Sequence, residues 1–252
     1  MMTEQDLPRD ARTVGGEPAG VPVGHDGVRV EVAERRAWSV PGGPAVIGFL
    51  ALAGLATWLV VLAASADDAG RDGTGFGLSG ALLIVLAVLL ATGISVVSPG
   101  DTRVLQFFGR YVGTLRRAGL QLNMPLVVGR KVSVKVRNFE TNELKVNDAD
   151  GNPVNIAAIV VWQVADTARA VFAVEEYQEF VRVQSEAALR HVASSHPYDN
   201  AGPGEESLRG STDVVAAELA AEVPARIAIA GLEVVETRIS SLAYAPEIAH
   251  AM

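Results

Sequence analysis

Two long uncharged stretches dominate the hydrophobic pattern of the chain. The first runs from Ala37 to Ala66 and contains PAVIGFLALAGLATWLVVLAA; the second runs from Gly73 to Gly100 and contains FGLSGALLIVLAVLLATGISVV. Each exceeds the roughly 18 apolar residues that indicate a spanning helix, and about 20 residues of helix cross a hydrocarbon core about 30 Å thick. We predict transmembrane helices at residues 37–66 and 73–97, joined by an extracytoplasmic loop at 67–72; a re-entrant hairpin is the alternative.

The 36 residues before the first stretch are mixed in charge and rich in Gly and Pro, with GEPAGVPVGHDG at their centre. A signal peptide would begin its apolar region within a few residues of a short basic start, so this segment does not fit one. Its composition cannot bury enough apolar area to offset the entropy of ordering. We predict a disordered cytoplasmic tail at residues 1–36.

The arginines predict how the chain is oriented in the membrane. The connecting loop, SADDAGRDG, holds three aspartates and one arginine. The basic residues that flank the two stretches on their other sides are Arg35, Arg36, Arg103, Arg110, Arg116 and Arg117. By the positive-inside rule, a cell-membrane protein with two spans would have both termini in the cytoplasm. The chain contains no cysteine, which fits a reducing compartment.

Alternation with a period of two predicts strands after the second stretch. In KVSVKVRNF, valines at 132, 134 and 136 alternate with polar residues, as in a half-buried strand. A second strand is predicted at Glu143–Val146. A third is predicted at Val154–Val164. Both of its faces are largely apolar in the middle, which indicates the interior of a sheet. Its first face carries Ile156, Ala158, Val160 and Trp162.

The segment KVNDADGNPVNI, residues 145–156, has carboxylates spaced as in a calcium loop, but the pattern favours a turn. If the flanking strands pair around Asp150, Val146 faces Val154 and Leu144 faces Ile156. That register requires a three-residue loop, 149–151, with Gly151 in the left-handed conformation. A calcium loop needs a bidentate Glu at its twelfth position, which here is Ile159. We therefore predict that Asp150 and Gly151 form a structural turn, with no metal.

Helical periodicity follows the strands. Asp166 is placed to cap a short helix through Val174, and residues 175–195 form a longer amphipathic one. Ser211 begins a third helix that closes at Gly231, and Pro224 should kink or divide it. A last strand, LEVVETRISSL, precedes residues 246–252, the start of a C-terminal helix in which Pro246 and Glu247 suit the first turn. The apolar face of the longer helix comprises Tyr177, Phe180, Val181, Gln184, Ala188 and Val192.

The sequence offers little for catalysis or for cofactors. His191 and His196 have no nearby cysteine, which disfavours zinc. Ser194, Ser195, His196 and Asp199 are neighbours without a nucleophile-elbow sequence, and the apolar stretches carry no charge of the kind that a transport path needs. We predict no enzymatic activity, no catalytic residues and no cofactor. The acidic balance of the whole chain disfavours nucleic acid as a partner.

Charge is divided unevenly along the rest of the chain. From Asn138 to the end there are eighteen acidic and seven basic residues. The segment nearest the membrane carries one carboxylate, Asp101, and eight basic residues: Arg103, Arg110, Arg116, Arg117, Arg130, Lys131, Lys135 and Arg137. Anionic cytoplasmic lipid attracts such residues by about 1 kcal/mol each near the surface. The predicted membrane-surface contacts are Arg103, Phe107, Phe108, Arg110, Arg116 and Arg117; the aromatic residues could instead fill a small core.

Four segments carry a family resemblance as an ordered set: SPGDTRVLQFFGRYVGTLRRAGLQLNMP, VRNFETNELKVNDADGNPVNIAAIVVWQV, VQSEAALRHVASSHPYD and RISSLAYAPEIAHAM. Together, from about Val96 to Met252, they resemble the stomatin, prohibitin and flotillin (SPFH, or Band 7) superfamily, in particular bacterial members with an N-terminal membrane hairpin. The resemblance implies an α+β domain at residues 98–245, an antiparallel sheet with packed helices, preceded by the two-helix hairpin.

The resemblance also implies a function. Such proteins are membrane scaffolds that oligomerise, organise lipid microdomains or enclose partner proteases. The expected partners are the anionic inner leaflet and further copies of the chain. The alternative is a regulator or adaptor of one membrane protein, such as an AAA protease or a channel. The long coiled coil that follows the domain in such members is absent from this sequence.

Overall fold

The computed structural model describes residues 32–199 and 206–245. The helices are α1 (Gly42–Asp68), α2 (Thr74–Thr92), α3 (Thr167–Phe172), α4 (Tyr177–Ser195) and α5 (Thr212–Ile227), the last followed by a 3-10 turn at Ala228–Ala230. The strands are β1 (Val40–Pro41), β2 (Ile94–Val97), β3 (Asp101–Phe107), β4 (Arg110–Leu115), β5 (Gly119–Leu122), β6 (Val128–Ser133), β7 (Arg137–Glu140), β8 (Leu144–Asn147), β9 (Pro153–Val164) and β10 (Leu232–Tyr244).

The first two helices form a hairpin of candidate membrane spans. Both are long and apolar enough to cross a membrane, with mean hydropathies of 2.4 and 2.3. Small residues let the two helices approach closely, and a Cβ atom added to Gly80 would lie 2.9 Å from Val60 Cγ2. Most of their large apolar side chains are exposed. Such a surface suits a hairpin surrounded by lipid, because lipid tails are as apolar as these side chains.

The second helix ends at Thr92, and the chain then forms a strand where the predicted span continued to residue 97. β2 pairs antiparallel with β5, and β5 pairs with β1 on its other edge. We call this three-stranded unit the basal sheet. Ile94, Val96 and Val97 are β-branched residues that favour a pleated strand. Their uncharged character extends the apolar stretch without extending the helix.

A second three-stranded sheet, the middle sheet, has the strand order β4-β3-β6. Its two faces contribute to different cores, because successive side chains of a strand point to opposite sides. Val104 and Val132 join the main core of the domain. Leu105 and Leu115 pack with Val97 of the basal sheet in a smaller core.

The distal sheet is built around β9. β10 pairs along one edge of this strand, while β7 and β8 share the other edge. Helices α4 and α5 cover one face, and the β9 residues Ile156, Ala158 and Val160 lie fully buried beneath them. The structure thus has the α+β fold of antiparallel sheets with packed helices that the sequence predicted.

The strand predicted at residues 131–137 is divided between two sheets. β6 ends at Ser133, and the backbone N–H of Val134 donates to the carbonyl of Gly100 at 3.0 Å. β7 begins at Arg137 and pairs with β9 of the distal sheet. The valine alternation fits both strands and therefore did not reveal the break.

The turn at Asp150 and Gly151 has the predicted register. Leu144 pairs with Ile156 and Val146 with Val154. Gly151 has a positive φ of 86°, the left-handed conformation that the loop requires. The pairing continues to Asn147 and Pro153, so residues 148–152 form the connection between β8 and β9.

The helices follow the predictions with two differences at their ends. Asp166 caps α3 by accepting from the N–H of Arg169 at 2.9 Å, but the helix ends at Phe172 rather than Val174. Pro224 does not divide α5, which continues to Ile227. Gly231 closes this region with a φ of 68°. The helix predicted at residues 246–252 lies outside the described residues.

Candidate functional site

The last residues before the hairpin lie against the domain. Residues 1–31 of the predicted disordered tail are outside the described part of the chain, but residues 32–37, here called the strap, run beside β4. Thr114 joins the two, since its N–H donates to the Arg35 carbonyl at 2.7 Å and its carbonyl accepts from Ala37 at 3.1 Å. The Tyr111 hydroxyl lies 3.0 Å from the Arg35 nitrogen. The prediction of disorder up to residue 36 is therefore wrong for residues 32–36.

Glu34 is the main polar anchor of the strap. Its carboxylate accepts from the backbone N–H and the hydroxyl of Thr167, each at 2.8 Å, and forms an ion pair with Arg116. Burial by itself would raise the pKa of Glu34, but the hydrogen bonds from Arg116 and Thr167 outweigh it and hold this pKa below its ordinary value. The ionised carboxylate therefore fixes the strap to the N-terminus of α3.

Arg116 is occupied within the protein. Its Nη2 atom donates to Glu34 Oε2 at 2.8 Å and to the carbonyl of Ala165 at 2.7 Å. The hydrogen bond to Glu34 raises the pKa of the guanidinium. Arg116 and Arg117 follow the end of β4 that is opposite to Arg110. Lipid contact at Arg116 and Arg117 stays a prediction. At Arg116, a lipid phosphate would have to compete with Glu34 of the strap for the guanidinium.

A group of exposed apolar residues lies at one end of the middle sheet. β3 and β6 pair up to Gln106 and Val128, and beyond this pair lie Phe108, which is 82% exposed, and Leu126, which is 51% exposed. Val128 itself is 72% exposed. We call Phe107, Phe108, Leu126 and Val128 the apolar rim.

The apolar rim lies at the level where the hairpin ends. The N–H of Leu126 donates to Thr92 Oγ1 at 3.1 Å, and Thr92 is the last residue of α2. The N–H of Asn123 donates to the carbonyl of Gly93 at 2.8 Å. These bonds tie the segment that precedes β6 to the base of the second helix. If the hairpin spans a bilayer, the rim therefore borders the bilayer surface.

Backbone strain is concentrated in the same place. In the described part of the chain, Phe108 (φ 44°) and Leu126 (φ 62°) are the only non-glycine residues with positive φ. Phe108 and Gly109 (φ 81°) form the two-residue connection between β3 and β4, a position where Asn or Gly is normally preferred. Strain of this kind costs roughly 1–3 kcal/mol and is often retained at functional sites. Here it presents large apolar side chains to the outside.

Basic residues follow the rim on all three strands of the middle sheet. Arg110 directly follows the Phe108 turn, and Arg103 and Lys131 are partners across the β3–β6 ladder. Lys131 Nζ lies 2.9 Å from Asp101 Oδ2, and this contact lowers the pKa of the Asp101 carboxyl. Apolar residues at the end of the sheet and cations behind them form the arrangement expected at a membrane surface.

The residues considered for catalysis are not assembled into a site. Ser194 and Ser195 both donate their hydroxyls to the carbonyl of His191 at 2.9 Å. The ring of His196 contacts Glu218 on α5, with Nε2 2.5 Å from Oε2. Within residues 32–199 and 206–245, no group of three or more His, Cys, Asp or Glu side chains is placed to hold a metal ion.

Sequence reasoning found part of the rim and missed the rest. Phe107 and Phe108 were predicted as membrane contacts, and the structure places them beside Leu126 and Val128. The segment NMPLVV, residues 123–128, carried a signal that could have been used, since Pro125 interrupts an apolar run next to a basic strand. Glu34 carried no such signal, because its partners lie 82 and 133 residues away.

Comparison with protein families gives one result for this chain. Residues 95–252 match the family described as SPFH domain / Band 7 family. The match begins in β2 and includes the middle and distal sheets with their helices. Proteins of this family are in general non-enzymatic scaffolds. Since the match covers more than half of the 252 residues, this chain belongs to the SPFH domain / Band 7 family.

Proposed function

We propose that this protein is a membrane-anchored scaffold that oligomerises with copies of itself and organises the surrounding bilayer into microdomains. The domain rests on the cytoplasmic leaflet, with the apolar rim in the interface and the basic residues among the lipid head groups. The expected partners are anionic lipid and further copies of the chain.

The attachment of the domain to the base of the hairpin carries this proposal. A flexible linker would leave the domain free to tumble, whereas here the chain enters and leaves the hairpin through paired strands, β1 and β2. Leu120 packs at the start of α1, where a Cβ atom on Gly42 would lie 2.4 Å from Leu120 Cγ. A domain held in this way presents the same surface to the bilayer in every copy, which suits ordered assembly.

The strap supports the orientation of the protein. Residues before α1 and residues after α2 contact the same domain, so both ends of the hairpin lie on one side of the membrane if the helices span it. By the positive-inside rule, the arginines favour the cytoplasm as that side.

Cross-linking in native membranes tests oligomerisation. The full chain is expressed at low level, and membranes are treated with an amine-reactive cross-linker before solubilisation. We expect a ladder of homo-oligomers that persists when the expression level is lowered fourfold. A band of monomer size alone would contradict self-assembly. Co-purification of one AAA protease or channel at a fixed ratio, without homo-oligomers, would favour the adaptor function instead.

A further inference from the structure

A small cavity lies between the end of β2 and the start of β3. It has a volume of about 200 Å³ and is lined by Val96, Val97, Ser98, Asp101, Thr102, Arg103 and Lys131. Since one water molecule occupies about 30 Å³ of liquid volume, the space can hold a small polar group of several heavy atoms. Val96 at its mouth is 60% exposed and follows the second helix by only four residues.

Positive charge around this cavity is only partly neutralised. Arg103 and Lys131 are direct partners across antiparallel strands, an arrangement that is unfavourable for like charges unless an anion is present. Lys135 also acts on Asp101 and lowers its pKa together with Lys131. The cavity lining thus holds two cations, Arg103 and Lys131, and one carboxylate, Asp101.

Arg103 has donors to spare. Its side chain lies along Gly129, where an added Cβ atom would be 3.3 Å from Arg103 Cδ and 3.8 Å from Nη1. It makes no hydrogen bond or ion pair with the part of the chain that the structure describes. A guanidinium carries five N–H donors in a planar fork that matches two oxygens of a phosphate group.

We propose that this cavity binds the phosphate group of an anionic phospholipid from the adjacent leaflet, with Arg103 as the fork and Lys131 as the second cation. The inference rests on the proposed membrane contact and names a specific lipid site within it. Val96 borders the acyl chains, while the phosphate reaches the cavity behind it.

The test uses the full chain in uncharged detergent, titrated with dioctanoyl phosphatidylglycerol by calorimetry. We expect saturable binding of one lipid per chain. Arg103→Gln should weaken this binding about tenfold, because both the charge and the fork of donors are lost. Arg103→Lys should weaken it less, because lysine keeps the charge and loses only the fork. Arg130→Gln is the matched control. It removes the same charge one residue from Lys131, on the opposite face of β6, and should change the affinity less than twofold.

Inorganic phosphate and glycerophosphoglycerol form separate arms of the titration, and we expect both to bind at least tenfold more weakly than the lipid. Equal binding of inorganic phosphate would identify a site for free phosphate and overturn the lipid assignment. Equal losses in Arg103→Gln and Arg130→Gln, or unchanged binding in Arg103→Gln and Arg103→Lys, would remove the site. These outcomes leave the cross-linking test of the scaffold function unaffected, so the two proposals can fail separately. Melting curves without lipid identify any variant that does not fold, and Lys131→Gln then replaces it.

Discussion

Asp148 is a buried carboxylate that joins two distant segments of the domain. Its Oδ1 atom accepts from the N–H groups of Asp150 and Asn152 at 3.0 and 2.7 Å, and Oδ2 accepts from the N–H of Tyr198 at 3.0 Å. The pattern of Asp and Asn that resembles a calcium loop is thus used for hydrogen bonds within the turn and to the segment after α4. The sequence located the turn, but not the long-range partner that makes Asp148 its central residue.

We predict that Asp148→Ala lowers the free energy of unfolding by about 2–4 kcal/mol, because three N–H groups lose a charged acceptor and that of Tyr198 is buried. Asp150→Ala, at an exposed position of the same loop, should cost less than about 0.5 kcal/mol. Denaturant melts of the detergent-solubilised chain compare the two. A melting temperature that rises with calcium in the unaltered protein, but not in Asp148→Asn, would show that the loop does bind metal.

Gly151→Val tests the turn geometry alone. A Cβ atom at this position meets nothing within 4 Å, so the cost is backbone strain at positive φ, about 1–2 kcal/mol. Gly151→Asn should cost less, since Asn tolerates this conformation. Thermal melts of both variants check the difference, and equal costs would contradict the left-handed assignment.

At the scale of elements, the strap gives the domain a pH-dependent contact. The pKa of Glu34 in the folded protein lies below its ordinary value of 4.5. The ionised form therefore stabilises the docked strap fully above that value, and the contribution is lost as the pH falls below it through the depressed pKa. We expect Glu34→Gln to melt at a lower temperature than the unaltered protein at pH 7, and the gap to narrow as the pH falls below 4.5. A gap of the same size at pH 7 and pH 3 would assign the effect to packing. Glu175→Gln, at an exposed site, is the control.

The Phe108 turn is predicted to exchange stability for membrane contact. Phe108→Asn places a residue that tolerates positive φ at the strained position and should stabilise the fold by about 1 kcal/mol in detergent melts. The same change should weaken contact with lipid. This is followed with an NBD fluorophore on Val128→Cys in anionic liposomes, which is possible because the chain has no other cysteine. We expect a blue-shifted emission that moves toward the value in water when Phe108→Asn is added; no movement would contradict a role for Phe108 at the interface.

The elements differed in how far the sequence could predict them. β9 and its turn were predictable because both faces and the register are fixed by neighbouring residues. β2 was not, since Gly73–Gly100 is uncharged throughout and the change from helix to strand at Gly93 leaves hydropathy unaltered. The strap and the Leu126 contact depend on partners 34 to 133 residues away. Periodicity within one segment cannot report such pairings.

At the scale of the whole molecule, topology follows from the hairpin and the strap together. We predict that Arg71→Cys, in the loop between α1 and α2, reacts with an impermeant thiol reagent on intact cells, while Ser241→Cys on β10 reacts only after permeabilisation. Labelling of Ser241→Cys alone on intact cells would show the opposite orientation. The basic residues would then not face the anionic lipid of the cytoplasmic leaflet.

Electron cryo-microscopy of the full chain in native membrane vesicles tests the scaffold function most directly. We predict closed assemblies of several copies, with each hairpin in the bilayer, each apolar rim in contact with the cytoplasmic leaflet and the distal sheets further from it. Isolated single copies would contradict the scaffold function. Domains whose apolar rims do not contact the leaflet would contradict the proposed membrane contact.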